Sequence, residues 1–301
     1  MIFKNIFLTV SLTFFSFILD AKIKVVTTTT DLKAIVDEVG GDKVQVTSFC
    51  KGSQDPHFLE AKPSYMIKTY RADLLVAIGL GLEVGWLPKV LEGSKNPKVM
   101  QGAKGYLEVG AKLKVLEVPK GPISRADGDV HPEGNPHVNL DPIRVGEMAV
   151  IIAKRLSSLE PKFESFFQKN AKALESRLAK KTKEWQKRID KLTVKKLVTH
   201  HKTLSYFFDR FGIESVARLE PVPGVPPTAS HIMQVMKDAK EKGVKKILVE
   251  HYFSDKAAKK VASEIPGIFV KHTPVAVLAT NSIKSIDDLF ESLVRNLEAT
   301  S

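Results

Sequence analysis

Residues 23–29 form an almost unbroken β-branched run, the pattern of a strand buried on both faces. Apolar positions at helical spacing follow over 32–39, and Gly40-Gly41 stops them. A second β-branched run covers 44–50, a loop 51–59, and Pro63 opens a helix predicted to reach residue 71. Residues 74–78 read as another strand, with a glycine-rich turn and a helix over 86–91 behind it. Strands alternating with helices of this length are joined by crossovers, which makes the sheet parallel and puts helices on its faces. From 102 to 134 the chain is rich in Gly, Pro and charge without periodicity, and reads as a long surface loop.

Asp141-Pro142 combines a carboxylate cap with a proline in the first turn, so a helix is expected from there to 159. Pro161 opens a longer one, to 190, with no internal Gly or Pro. At 1.5 Å per residue it would extend roughly 45 Å, enough to cross a domain of this size. The α/β pattern then restarts: a strand at 196–199, a helix at 203–211 stopped by Gly212, strands at 215–219, 246–249 and 268–271, and an amphipathic helix at 286–297. A weak internal echo joins the halves. Val25-Val26-Thr27 leads into a helix ending at Gly40, and Leu197-Val198-Thr199 into one ending at Gly212.

The expected fold is therefore α/β, with two lobes that each hold a parallel sheet flanked by helices, joined by one long rigid helix. The divisions fall at 22–141 for the first lobe, 142–192 for the linking helices and 193–301 for the second. Such a pair leaves a cleft where strand ends face each other, the place where open α/β sheets bind ligands.

The first 21 residues change the compartment. Lys4, an apolar stretch at 6–19 and the exit Leu19-Asp20-Ala21 describe a secretory signal peptide cleaved near Ala21. The apolar run is shorter than the roughly 20 residues that span a bilayer. No cysteine lies near the exit, so no lipid-bearing cysteine is expected, and the chain reads as periplasmic. Its one cysteine, Cys50, rules out a disulfide framework or cysteine zinc cluster; any metal site would use His and carboxylates.

Net charge is +12, which raises nucleic acid as a partner. The positives crowd between 154 and 196, where Arg177, Lys180, Lys181, Lys183, Lys187 and Arg188 sit among Leu174, Leu178, Trp185, Ile189 and Leu192 at helical spacing. That is an amphipathic helix with a solvated basic face. No DNA- or RNA-binding signature accompanies it, so no nucleic-acid partner is expected, and a monomer is.

Eight histidines are present, and three fall in loops at predicted strand or helix ends. His57 lies in Asp55-Pro56-His57, His137 in Asn135-Pro136-His137-Val138-Asn139, and His201 in Thr199-His200-His201-Lys202. Three neutral imidazoles make a good divalent-metal site, with nitrogens at about 2.0–2.1 Å from zinc. Their separations of 80 and 64 residues do not by themselves distinguish such a site from scattered surface histidines.

Longer motifs carry more. The stretch 52–64, Gly-Ser-Gln-Asp-Pro-His-Phe-Leu-Glu-Ala-Lys-Pro-Ser, resembles the first metal-ligand motif of the TroA-like zinc/manganese solute-binding proteins of ABC transporters, of the cluster A-I, zinc-uptake type. Asn135-Pro136-His137-Val138-Asn139-Leu140-Asp141-Pro142 resembles their second. The stretch 201–212, in which His201 precedes Tyr206 by five, resembles their third. The three occur in that family's order and span the chain beyond the signal segment.

The resemblance implies His57, His137 and His201 as metal ligands, and a role in capturing a divalent metal for an ABC permease in the inner membrane. It implies no enzymatic activity. His200 sits one place early, on a strand end where alternation turns it away. Many members of that family add an Asp after a late strand. Here Pro274 stands in that stretch, so Glu250, at the end of the 246–249 strand, is the candidate fourth ligand. Many zinc-specific members also carry a His-rich loop before the second motif; this chain has only His131 there, expected to be solvated. Three imidazoles without a clear carboxylate favour Zn2+ over Mn2+, with manganese or iron as the alternative. A metal-binding surface adhesin is a second alternative. A zinc hydrolase is a weaker one, because no His-Glu-x-x-His helix occurs.

Overall fold

The computed structural model describes residues 21–121, 131–222 and 224–299; the predicted signal segment lies outside them, apart from Ala21. Its first sheet is built from β1 (Ile23–Thr27), β2 (Val44–Ser48), β3 (Leu74–Ala77) and β4 (Tyr106–Glu108), in the order β2-β1-β3-β4 and parallel throughout. Between these run α1 (Thr30–Gly40), α2 (Pro63–Tyr70) and α3 (Leu87–Ser94). The second sheet repeats the scheme with β5 (Lys196–Thr199), β6 (Glu214–Arg218), β7 (Lys246–Glu250) and β8 (Phe269–Thr273), ordered β6-β5-β7-β8 and again parallel. Both echoed tripeptides, Val25-Val26-Thr27 and Leu197-Val198-Thr199, lie in the equivalent inner strand of their sheets. Each sheet needs its most apolar strands inside, where both faces are covered.

Two helices join the sheets. Asp141 accepts from the Ile143 backbone and caps α4 (Pro142–Leu159), as the Asp-Pro pair predicts. The long helix α5 (Glu164–Ile189) begins after a single tighter turn at Pro161–Phe163, so it is slightly shorter than expected, about 39 Å at 1.5 Å per residue. Its apolar stripe of Phe167, Leu174, Leu178, Trp185 and Ile189 is fully buried against α1, α4 and α9 (Ile286–Glu298). One apolar cluster therefore runs from β1 and α1 through α4 and α5 to α6 (Ser205–Phe211) and α9. Each large side chain in it contributes roughly 1.5–3 kcal/mol, so the junction is core rather than hinge.

The basic face of α5 is divided in its work. Lys180, Lys183 and Lys187 are exposed, but Arg177 donates to Glu38 of α1 at 2.9 Å and to Asp287 of α9 at 3.1 Å. Arg188 is likewise held by Glu291 and Glu298. Ion pairs thus tie this helix to both lobes.

Three elements are missing from the sequence expectations. β4 has three residues inside the predicted loop, too few to make a pattern. α7 (Ala229–Glu241) and α8 (Lys256–Glu264) are amphipathic helices in a stretch where no element is expected: Ile232, Val235, Met236 and Ala239 of α7 fall at helical spacing and pack on the core of the second sheet.

Candidate metal centre

The loops after β2 and β5 and the turn before α4 converge. Asp55 begins a short turn at Pro56–Phe58 and accepts the His57 backbone N–H at 3.0 Å and the ring Nδ1–H at 2.7 Å. Trp86 Nε1 donates to Pro56 O at 2.9 Å and fixes the same turn. Burial works against ionising Asp55, but the hydrogen bonds and charge of His57 outweigh it and hold its carboxyl below the ordinary range. An ionised carboxylate can only accept, so the His57 proton belongs on Nδ1 and the Nε2 lone pair is left to face inward. That Nε2 is buried and, among the described residues, has no partner.

His137 is positioned by Asn135, whose Oδ1 accepts the His137 backbone N–H at 2.9 Å. Asn135 Nδ2 also donates to Lys202 O at 3.0 Å, and Tyr206 Oη donates to Asn135 O at 2.7 Å. The five-residue spacing from His201 to Tyr206 thus has a physical use: the tyrosine clamps the second motif against the third. His137 Nε2 is also buried without a partner among the described residues. Burial first, then the proximity of the His57, His201 and His131 rings, which disfavours adding another proton to the cluster, pushes its pKa well below the ordinary imidazole value.

His201 follows β5, and its Nδ1 hydrogen-bonds the carboxylate of Glu220, two residues beyond β6. Both side chains are almost buried. Ligand nitrogens of His57, His137 and His201 all lie within 4.8 Å of one another. Their ring centres are 5.2, 5.6 and 6.0 Å apart. Imidazoles sharing a tetrahedral ion at 2.0–2.1 Å would have ring centres roughly 5 Å apart, so small side-chain shifts close the shell.

The other residues singled out in the sequence fare differently. His200 is outside this group; its ring stacks on Phe253 at 4.4 Å and its backbone N–H donates to Leu248 O. His131 is not solvated as expected. It is half-buried, with its ring 5.3 Å from that of His57 and its Nδ1 against the Gly81 backbone, and burial pushes its pKa down to about 4. Glu250 ends β7 fully buried, with no well-formed hydrogen bond to either carboxylate oxygen among the described residues; burial raises its pKa, and the nearby Thr203 hydroxyl and His201 oppose that rise. The structure does not bring it into the set of three nitrogens. Pro274 follows β8 and offers no side-chain donor, and His272 beside it faces Asp255 at 3.0 Å. Glu220 was missed entirely, because only the pairing of β5 with β6 puts it behind His201.

Known proteins resemble this chain over most of its length. The chain is 29% identical over 257 residues to the manganese ABC transporter substrate-binding lipoprotein PsaA of Streptococcus pneumoniae, covering 83% of this chain and 79% of that one. It is 25% identical over 285 residues to the zinc-binding lipoprotein AdcA of S. pneumoniae, covering 93% of this chain and 55% of AdcA. The crystal structure of ZnuA superposes with a TM-score of 0.78 at 24% identity, over 93% of this chain and all of that one, which establishes the shared fold. The model of the family "zinc-uptake complex component A periplasmic" (ZnuA) matches residues 25–300, and the chain belongs to that family.

Proposed function

We propose that this chain is an exported solute-binding protein that captures a divalent metal ion, zinc in preference to manganese, in the periplasm and delivers it to an ABC permease of the inner membrane. One observation carries this reading: three imidazoles from separate loops converge, with Nε2 of His57 and His137 buried and unpartnered among the described residues and carboxylates behind two of the rings. Buried polar atoms are almost always hydrogen-bonded, so two inward-facing orphan nitrogens call for an electrophile, and a metal ion supplies one. Nitrogen donors suit zinc better than manganese, which favours oxygen. PsaA, a manganese protein by name, and AdcA, a zinc protein by name, resemble this chain to similar extents. The donor set therefore decides our preference. Glu250 is our candidate for a fourth, oxygen donor, reached by side-chain movement when the ion arrives; water is the alternative.

Metal analysis and competitive zinc and manganese titrations of untagged protein lacking residues 1–21 test the assignment. Tight zinc uptake at one ion per chain is expected; a protein that takes up neither ion overturns it.

Two further outcomes follow from the same geometry. Glu220→Ala removes the carboxylate that fixes the His201 ring, and should weaken zinc binding roughly 10–100-fold in the same titration. Affinity should also fall on acidification, because each imidazole must be neutral to coordinate. His137 is already neutral well below the ordinary value of about 6.5, so it releases no proton on binding near pH 7 and its share of the loss falls at the acid end. Zinc titrations from about pH 7.5 down to about pH 4 check this, and an affinity unchanged over that whole range would exclude a histidine-dominated site.

A further inference from the structure

Asp31 stands in the first turn of α1, yet it is fully buried and its carboxyl faces the other lobe. Its Oδ1 accepts the backbone N–H of Val277, in the loop after β8, at 2.9 Å. Its Oδ2 accepts from Asn139 Nδ2 at 3.4 Å. Thr30 Oγ1 donates to Val277 O at 2.6 Å, so both backbone groups of Val277 are held by adjacent residues of α1. Burial pushes the Asp31 carboxyl up to about 7, against the opposing bonds from Val277 and Asn139.

The same loop touches the first metal motif. A Cβ on Gly52 would lie 2.2 Å from the Leu278 carbonyl carbon and 2.4 Å from Val277 O, so the two backbones are in direct contact. His251, one residue beyond β7, donates from Nε2 to Gly52 O at 2.7 Å. Leu278 itself sits at φ +62, an unusual conformation for a side-chain-bearing residue, and its N–H is held by Ile283 O at 2.8 Å. This is the loop that follows the stretch where the sequence has Pro274 and no carboxylate. It grips the first lobe through backbone contacts.

Resting on the functional reading above, we propose that Asp31 is a positioning residue for metal retention: it latches the second-lobe loop at Val277 to the turn that carries His137, through Asn139 two residues on. With the latch closed, the His201 lobe and the His137 turn keep one relative placement, and the three imidazoles stay in register. With it open, either side shifts without the other and the ion escapes faster. The latch touches no ligand side chain, so it acts on release more than on capture.

The test compares wild type with Asp31→Ala, Asp31→Asn and Thr30→Val, the last as a variant that removes one bond without disturbing a buried carboxyl. Zinc release into excess chelator and zinc association are followed by stopped flow, and hydrogen exchange at the Val277 amide is read in metal-free protein. Asp31→Ala should expose the Val277 amide to exchange and speed zinc release roughly tenfold, the scale of one lost hydrogen bond to a charged group, with association within about twofold of wild type. Asp31→Asn keeps an acceptor at Oδ1 and should restore most of the retention; Thr30→Val should fall between. Faster exchange at Val277 with unchanged zinc release in Asp31→Ala or Thr30→Val overturns the proposal, as does an equal slowing of association and speeding of release. A wild-type protein that binds neither zinc nor manganese overturns the functional reading, and the retention role falls with it.

Discussion

His201→Ala is expected to weaken zinc binding by several kcal/mol, more than the roughly 10–100-fold typical of losing a group behind a ligand, while His200→Ala changes it little. The two histidines are neighbours in sequence, both just beyond the end of β5 at Thr199, but they point to different surroundings. His201 turns into the cleft, its Nδ1 held by Glu220 and its ring 5.6 Å from that of His137. His200 stacks on Phe253, and its backbone N–H continues the pairing with β7 through Leu248 O. Removing one of three imidazoles leaves a shell that water fills poorly. Removing the His200 ring costs a stacking contact in the second lobe, which should appear in stability and not in affinity. Calorimetric zinc titrations of the two alanine variants decide between them. If His200→Ala is the crippled variant, the third ligand is misassigned by one residue.

Asp141→Ala should destabilise the protein by about 3–5 kcal/mol, the scale of breaking a buried ion pair from one side. Asp141 is completely buried and does three jobs. It caps α4 through the Ile143 backbone, it pairs with the Arg144 guanidinium, and it accepts two bonds from Arg210 of α6 at 2.9 and 2.8 Å. Arg144 is itself almost buried, with its guanidinium 4.7 Å from the Tyr206 ring centre and its Nε on Lys114 O. Without Asp141 that charge would stay buried with its carboxylate partner gone. Urea unfolding of the Asp141→Ala and Asp141→Asn variants measures the effect, and asparagine should recover part of it because it still caps the helix. A loss under about 1 kcal/mol for alanine would show that water replaces the carboxylate without strain.

Much of this protein could be read from local pattern. The β-branched runs at β1 and β5, the Asp-Pro start of α4, the long uninterrupted α5 and the glycine stops at Gly40 and Gly212 each encode their element within a few residues. Helical and strand periodicity, capping and glycine or proline breaks are short-range properties, so no knowledge of the partner surface is needed. β4 escaped because three residues do not make a pattern, whereas α7 was legible in principle, with Ile232, Val235, Met236 and Ala239 at helical spacing. The motifs around His57, His137 and His201 were legible by resemblance, although their separations in sequence were not informative.

What the tertiary structure alone decided is which side chains meet. Glu220 stands behind His201 because β6 pairs with β5, and Asp31 faces Val277 across 246 residues because the two lobes share one core. His131, expected in solvent, is packed beside His57, while Glu250 is buried at the end of β7 without joining the three nitrogens. A residue's type and neighbours in sequence determine its own backbone and the chemistry it can offer. Its partner in space depends on strand order and lobe packing, which are set by the summed burial of distant segments, and no local window contains that sum.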